Sequence, residues 1–148
     1  MTKEIEITRG KKTIVDDDIF ELVSKVKWYC TSTGYARNDN FGYLHRFVLG
    51  LNGELQADHI NRNRLDNRRC NLRIATHNDN QRNRGAMRTN TSGYKGVSIR
   101  GKYIDAHLMV NNKKRHIGYF PDLISAAKAY DAEAKKYYGD FAVLNFPE

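Results

Sequence analysis

The sequence predicts an α+β chain built as two small domains, and three observations carry that expectation. Short alternating runs separated by turn residues read as strands, and they mix with a few stretches at helical spacing. The last third reads as three strands and then one long helix, a small α+β unit in its own right. Between the two parts, residues 85–92 are small, polar and without hydrophobic period. Residues 1–84 and 93–148 are therefore expected as separate domains with a linker at 85–92. A length of 148 residues suits two small domains.

The elements follow in order. Residues 4–8 read as a strand, with Ile5 and Ile7 on one face and acids on the other. Residues 16–26 read as a helix, because Ile19, Leu22, Val23 and Val26 recur at helical spacing. Residues 27–31, 34–37 and 43–48 read as short strands, and 57–60 as another extended piece. Asn, Asp and Arg crowd 61–69, which is loop chemistry, and 72–75 returns to strand. Thr76 with Asp79 three residues later forms a capping-box pattern and opens a helix. In the last third, 95–100, 103–110 and 113–120 read as strands turned at Gly101-Lys102 and Asn111-Asn112. Asp122 caps a helix running to about Tyr138 and stopped by Gly139.

Charge narrows the partners. There are 25 Lys+Arg against 17 Asp+Glu, a net of +8. The excess is shared, since 1–84 carry 15 basic and 11 acidic residues and 85–148 carry 10 and 6, +4 each. A basic surface in both parts favours a polyanion. A membrane span is excluded, because no stretch approaches the roughly 18 apolar residues it needs. The N-terminus is charged and lacks the apolar core of a signal peptide. Cys30 and Cys70 form no CxxC pair, which argues against a cysteine-rich zinc site or a disulfide scaffold and for an intracellular, reducing setting.

The segment 57-ADHINRNRLDNRRCNLRIATHNDNQRN-83 concentrates the chemistry. Asp58 and His59 end an extended piece. Asn71 opens the next, 12 residues after His59, and Asn80 lies 9 further on in the capped helix. Strand, loop, strand and helix can bring Asp58, His59 and Asn80 into one pocket. A hard cation takes oxygen ligands and keeps waters, so one carboxylate and one amide oxygen suffice. A neighbouring histidine can take a proton near neutral pH. Arg68, Arg69 and Arg73 flank the strand near Asn71 and are the first choices for phosphate contact. His45 is expected to pack beneath the motif and His77 to stand exposed in the first helical turn. Asn83 remains an alternative to Asn80, being on nearly the same helix face.

This stretch resembles the HNH nucleases in their ββα-metal form, and within them the homing-endonuclease branch. DHIN, LDNRRCNLR, NDNQRN and the upstream Tyr43-Leu44-His45-Arg46 carry the resemblance. It implies that Asp58 and Asn80 hold a divalent metal, that His59 is the general base and that Asn71 orients the loop. Asn80 stands where a histidine is common, which favours magnesium or manganese over zinc.

Residues 93–147 resemble the Apetala-two/ethylene-response-factor type of DNA-binding domain. The matching pieces are Gly93-Tyr94-Lys95-Gly96-Val97, His116-Ile117-Gly118-Tyr119-Phe120, the AAKAYD run at 126–131 and GDFAVLNF at 139–146. The resemblance implies that the sheet lies on duplex DNA. Alternation turns Ile104, Ala106, Leu108 and Val110 toward the helix and Tyr103, Asp105, His107 and Met109 outward. Ser98, Arg100, Lys114 and His116 are outward on the neighbouring strands. The DNA-facing set is therefore Ser98, Arg100, His107, Met109, Lys114 and His116. Tyr103 and Tyr119, on different strands, are too few to suggest a single-strand stacking platform.

The expected function is a metal-dependent homing-type endonuclease that nicks double-stranded DNA as a monomer. The rival is a catalytically inactive DNA-binding regulator.

Overall fold

Two antiparallel strands, β1 (Thr2–Ile7) and β2 (Lys11–Asp16), open the chain as a hairpin. Its turn places Arg9 and Gly10 at positive φ, 66° and 61°. The second strand departs from expectation, since no strand was read between the first strand and the helix. Its inward residues are Thr13 and Val15, and the polar threonine hides the alternation. The computed structural model describes residues 1–87 and 89–147, so Arg88, within the expected linker, and Glu148 lie outside it.

Helix α1 (Asp17–Val23) is shorter than the 16–26 expected. The indole N–H of Trp28 donates to the Val23 carbonyl at 2.9 Å and takes one of the acceptors that a further turn would use. Leu22, inside the helix, is exposed, and Val26 lies beyond its end. Strands β3 (Tyr29–Cys30), β4 (Ala36–Asn38) and β5 (Gly42–Tyr43) form a small meander. The expected strand at 43–48 is a correction: only Tyr43 is extended, and α2 (Leu44–Val48) follows. Leu44, Phe47 and Val48 are spaced i, i+3, i+4, which is helical, and a helix turns them onto the core. That core gathers Ile5, Ile7, Val15, Val23, Trp28, Cys30, Ala36 and Leu44.

β6 (Gln56–His59) pairs antiparallel with β7 (Leu72–Ala75), with Asp58 opposite Arg73 and His59 opposite Leu72. Asn71 does not open the strand but ends a 3₁₀ turn, Arg69–Asn71, just before it. Helix α3 (His77–Arg82) starts on the reciprocal cap read from the sequence. The Asp79 amide donates to Thr76 Oγ1, and the Thr76 amide and hydroxyl both donate to the Asp79 carboxylate.

The chain divides into two compact units, Met1–Asn80 and Gln81–Glu148. In the second, Asn90 and Ser92 form a tight turn, and the buried Ser92 hydroxyl reaches the Val97 carbonyl at 2.8 Å. Strands β8 (Val97–Arg100), β9 (Tyr103–Val110) and β10 (Lys113–Phe120) make one antiparallel sheet with β9 central. Helix α4 (Leu123–Tyr138) begins at Asp122, whose carboxylate accepts from the Ser125 amide, and ends at Gly139 with φ 52°. Val97, Ala106, Ala126 and Ala127 share one buried cluster, and Leu108, Tyr130, Ala134 and Tyr138 another. Gly96 is required there, because a Cβ would lie 2.0 Å from the Tyr130 ring and 2.6 Å from the His107 carbonyl, at a φ of 73°. The chain thus mixes helices with small antiparallel sheets, and among the described residues no helix is long and apolar enough to cross a membrane.

Candidate active site

The β6–β7 ribbon presents different residues on its two faces. Gln56 and Asp58, two apart on β6, share one face. On the first face, Asp58 is buried, and Arg73 across the ribbon brings Nε to 2.9 Å and Nη2 to 2.8 Å of its Oδ2. Asn80, in the last part of the first unit, donates Nδ2 to Gln56 Oε1 at 2.6 Å. This bond puts Asn80 on the Asp58 side and commits its nitrogen, so that the atom it presents to a cation is an oxygen. His77, exposed, approaches the same Gln56 at 3.4 Å.

His59 ends β6 and is 5% exposed. Its ring lies 5.1 Å from that of His45 and 5.9 Å from Tyr35. Burial lowers its pKa, against the opposing hydrogen bond to the Asn67 amide oxygen and the charge of Asp58, so the neutral base is favoured. His45 packs within the same aromatic group, 5.1 Å from Tyr35 and 5.4 Å from Tyr43. Burial, then His59 and Arg46, push the pKa of His45 down to about 3.

The loop between the strands is held by its own polar groups. Asn71 spans it: Oδ1 accepts the Asn61 amide at 2.9 Å and Nδ2 donates to the Asp66 carbonyl at 2.8 Å. Asp66, 2% exposed, takes a two-pronged bond from Arg68 at 2.6 Å and another from Asn61 at 2.9 Å. The Arg68 guanidinium holds the Asp66 carboxyl below its ordinary range. Arg69 binds Asp18 at 2.7 Å through its side chain and Asp16 at 2.8 Å through its amide. Arg68, Arg69 and Arg73 thus each hold a carboxylate. The side chain of Arg69 is 46% exposed and that of Arg73 only 16%, a difference that matters for any phosphate contact.

Three buried residues escaped the sequence reading: Thr13, Asp66 and Asn67. The LDN run contains two of them, and nothing in its spacing reveals their partners. Asn83, the alternative ligand, is buried, but α3 ends at Arg82, so the argument from a shared helix face does not hold. Among the described residues no group of three or more His, Cys, Asp and Glu stands ready for a metal. What Asp58 and Asn80 offer is a carboxylate and an amide oxygen, a hard-donor pair that fits magnesium or manganese.

Four of the six predicted DNA-facing residues of the second unit converge on one acid. Asp105 looks outward from β9, yet is 2% exposed because basic neighbours cover it. His116 Nδ1 lies 2.7 Å from it, Lys114 Nζ 3.1 Å, His107 Nδ1 3.2 Å and Arg100 Nε 3.6 Å. Ser98 is its register partner on β8, and Met109, exposed, is opposite Lys114. A bulge in β10 between His116 and Gly118 shifts the register. It puts Tyr119 opposite Asp105, with its ring 4.7 Å from His116 and 5.6 Å from Tyr103. The two tyrosines, on different strands, therefore stand together.

The strand–loop–strand–helix thus carries a buried Asp-His at the end of its first strand and a loop pinned by an asparagine. The HNH endonuclease family model matches residues 43–82. An uncharacterised HNH endonuclease of Acanthamoeba polyphaga mimivirus is 34% identical over 148 aligned residues, covering 93% of this chain and 77% of that protein. No solved structure matches. The chain belongs to the HNH endonuclease family, and the enzyme class read from the sequence stands.

Proposed function

We propose that the chain is a homing-type HNH endonuclease that binds duplex DNA and hydrolyses a phosphodiester bond with the help of Mg²⁺ or Mn²⁺. The observation that carries this is His59, a buried and neutral imidazole fixed at Asn67 and adjacent in sequence to the buried carboxylate of Asp58. His59 takes a proton from the attacking water, whose oxygen bonds to phosphorus as the ester bond breaks. Asp58 and Asn80 would hold the cation, which when bound supplies charge for the scissile phosphate and the departing oxygen. Asn71 keeps the 61–66 loop in place around the base. The family resemblance implies a 5′-phosphate and a 3′-hydroxyl as products.

Phosphate contacts are drawn from Arg68 and Arg69, with Arg69 the most available, while Arg73 is committed to Asp58. The second unit resembles the Apetala-two/ethylene-response-factor domains and holds the DNA through Ser98, Arg100, His107, Met109, Lys114 and His116. Charge supports this division, since both parts are +4. With one Asp58-His59-Asn71-Asn80 set per chain, a monomer nicks one strand of an asymmetric site. Thiols left free at Cys30 and Cys70 suit a reducing, intracellular setting.

The test is plasmid nicking with magnesium by the purified chain and by His59→Ala, which is expected to lose roughly 10²–10⁴ in rate. Equal rates in two folded proteins would remove His59 from the chemistry. No cleavage by the unmodified chain on any duplex would favour the DNA-binding regulator. Strand-resolved products, with light scattering of the complex, test the monomeric nick.

A further inference from the structure

The base does not stand alone. A chain of buried hydrogen bonds runs from the N-terminal hairpin to His59. Thr13 Oγ1 lies 2.8 Å from the Leu65 carbonyl, Asn67 Nδ2 lies 2.7 Å from Thr13 Oγ1, and His59 Nε2 lies 3.1 Å from Asn67 Oδ1. Thr13 and Asn67 are each 0% exposed, so bulk water does not reach either to substitute for a partner. Backbone bonds fix the same contact. The Ile14 amide donates to the Leu65 carbonyl and the Asn67 amide to the Ile14 carbonyl, both at 2.8 Å.

The direction of every proton in this chain follows from its first member. A carbonyl oxygen only accepts, so the single hydroxyl proton of Thr13 goes to Leu65. Thr13 Oγ1 is then an acceptor toward Asn67, which must present its NH₂ there. The amide oxygen of Asn67 therefore faces His59 and can only accept. The proton of the neutral imidazole must then sit on Nε2, and the lone pair on Nδ1.

We propose that Thr13 and Asn67 are positioning residues that lock His59 in its Nε2–H tautomer, so that Nδ1 is the atom that takes the proton from water. This rests on the reading of His59 as the base. It also gives the N-terminal hairpin, which lies outside the family match at 43–82, a part in the chemistry. Without the Thr13 hydroxyl the Asn67 amide is released to rotate. Its NH₂ toward His59 would stabilise the opposite tautomer and put a proton on Nδ1.

The experiment is ¹⁵N NMR of the full metal-free chain with labelled histidines, the His59 signals being assigned by their loss in His59→Gln. A protonated Nε2 and an unprotonated Nδ1 are expected in the neutral ring. Thr13→Val should give a mixture of tautomers and lower kcat at least about tenfold, below the roughly 10²–10⁴ of losing the base itself. KM for DNA should hold, and Thr13→Ser should restore both tautomer and rate. A proton on Nδ1 in the unmodified chain overturns the proposal, and so does a folded Thr13→Val with unchanged spectrum and kcat. Should Thr13→Val not fold, the tautomer of the unmodified chain decides. Full cleavage by His59→Gln is a separate failure: it removes the base and leaves the tautomer to the spectrum.

Discussion

Arg73 and Asp58 face each other across the β6–β7 ribbon, and both nearest guanidinium nitrogens, Nε and Nη2, reach the same carboxylate oxygen, at 2.9 and 2.8 Å. With side chains only 16% and 8% exposed, the pair is nearly out of water. Arg73 therefore serves Asp58 before it serves DNA.

Removing Arg73 strips a buried carboxylate of its guanidinium partner, a change that costs about 3 kcal/mol in such settings. Arg73→Ala is expected to lower unfolding stability in urea by about that amount. It should also raise the magnesium concentration needed for half-maximal cleavage, since Asp58 is no longer oriented. The salt dependence of DNA binding should be almost unchanged, and a slope lowered by one phosphate would make Arg73 a backbone contact instead.

The Asn80 amide offers its oxygen because its nitrogen is committed to Gln56. Cleavage is expected to stop in EDTA and to return with magnesium or manganese. Asn80→Asp keeps an oxygen donor and should retain activity, whereas Asn80→Ala should lose it; Asp58→Ala should also lose it. Should Asn83→Ala abolish cleavage and Asn80→Ala leave it intact, the ligand is Asn83.

His45 gives a pH signature. Its pKa in the folded chain is pushed down to about 3 by burial and by His59, against an ordinary value of 6.5. The unfolded chain binds a proton below about pH 6.5 that the folded chain refuses, so stability is full above that pH and falls as pH drops toward 3. Each such group contributes about 1.4 kcal/mol per pH unit in that window. His45→Leu should flatten the slope of unfolding free energy between pH 6 and 4 by about that much. His59, shifted the same way by burial, leaves part of the slope in place. An unchanged slope would mean that His45 is already charged in the folded chain.

How far the sequence reads depends on where a residue's partner lies. DHIN and the capped helix are local patterns of residue type, so the ribbon and α3 were legible. Thr13 binds Leu65 and Asn67, more than fifty residues away, and its own strand lacks alternation. The segment at 43–48 is rich in Tyr, Phe and Val, which favour strands, but five residues packed on a core follow the i, i+3, i+4 spacing of Leu44, Phe47 and Val48. Alternation placed Asp105 correctly on the outer face of β9. It could not show that four basic neighbours would gather around it, nor that a bulge would bring Tyr119 beside Tyr103.

That outer face yields the last prediction. Burial alone would raise the Asp105 pKa, but the bonds from Lys114 and His116 outweigh it and hold the carboxyl below its ordinary range, so it is charged at neutral pH. A negative charge at the centre of a face proposed to meet phosphates must either weaken binding or set the basic groups in register. Asp105→Asn keeps the shape and removes the charge. If Asp105 restrains Lys114 and Arg100, the full-length variant should bind duplex DNA more tightly. Its plot of log affinity against log salt should steepen by up to about one phosphate's worth. It should also discriminate less between sequences, because the released side chains reach backbone in place of base edges. Lys114→Ala should move the salt slope the opposite way by a similar amount, and Arg100→Ala should change sequence preference if it reads a guanine edge. Binding that ignores all three substitutions would show that the DNA lies on another surface.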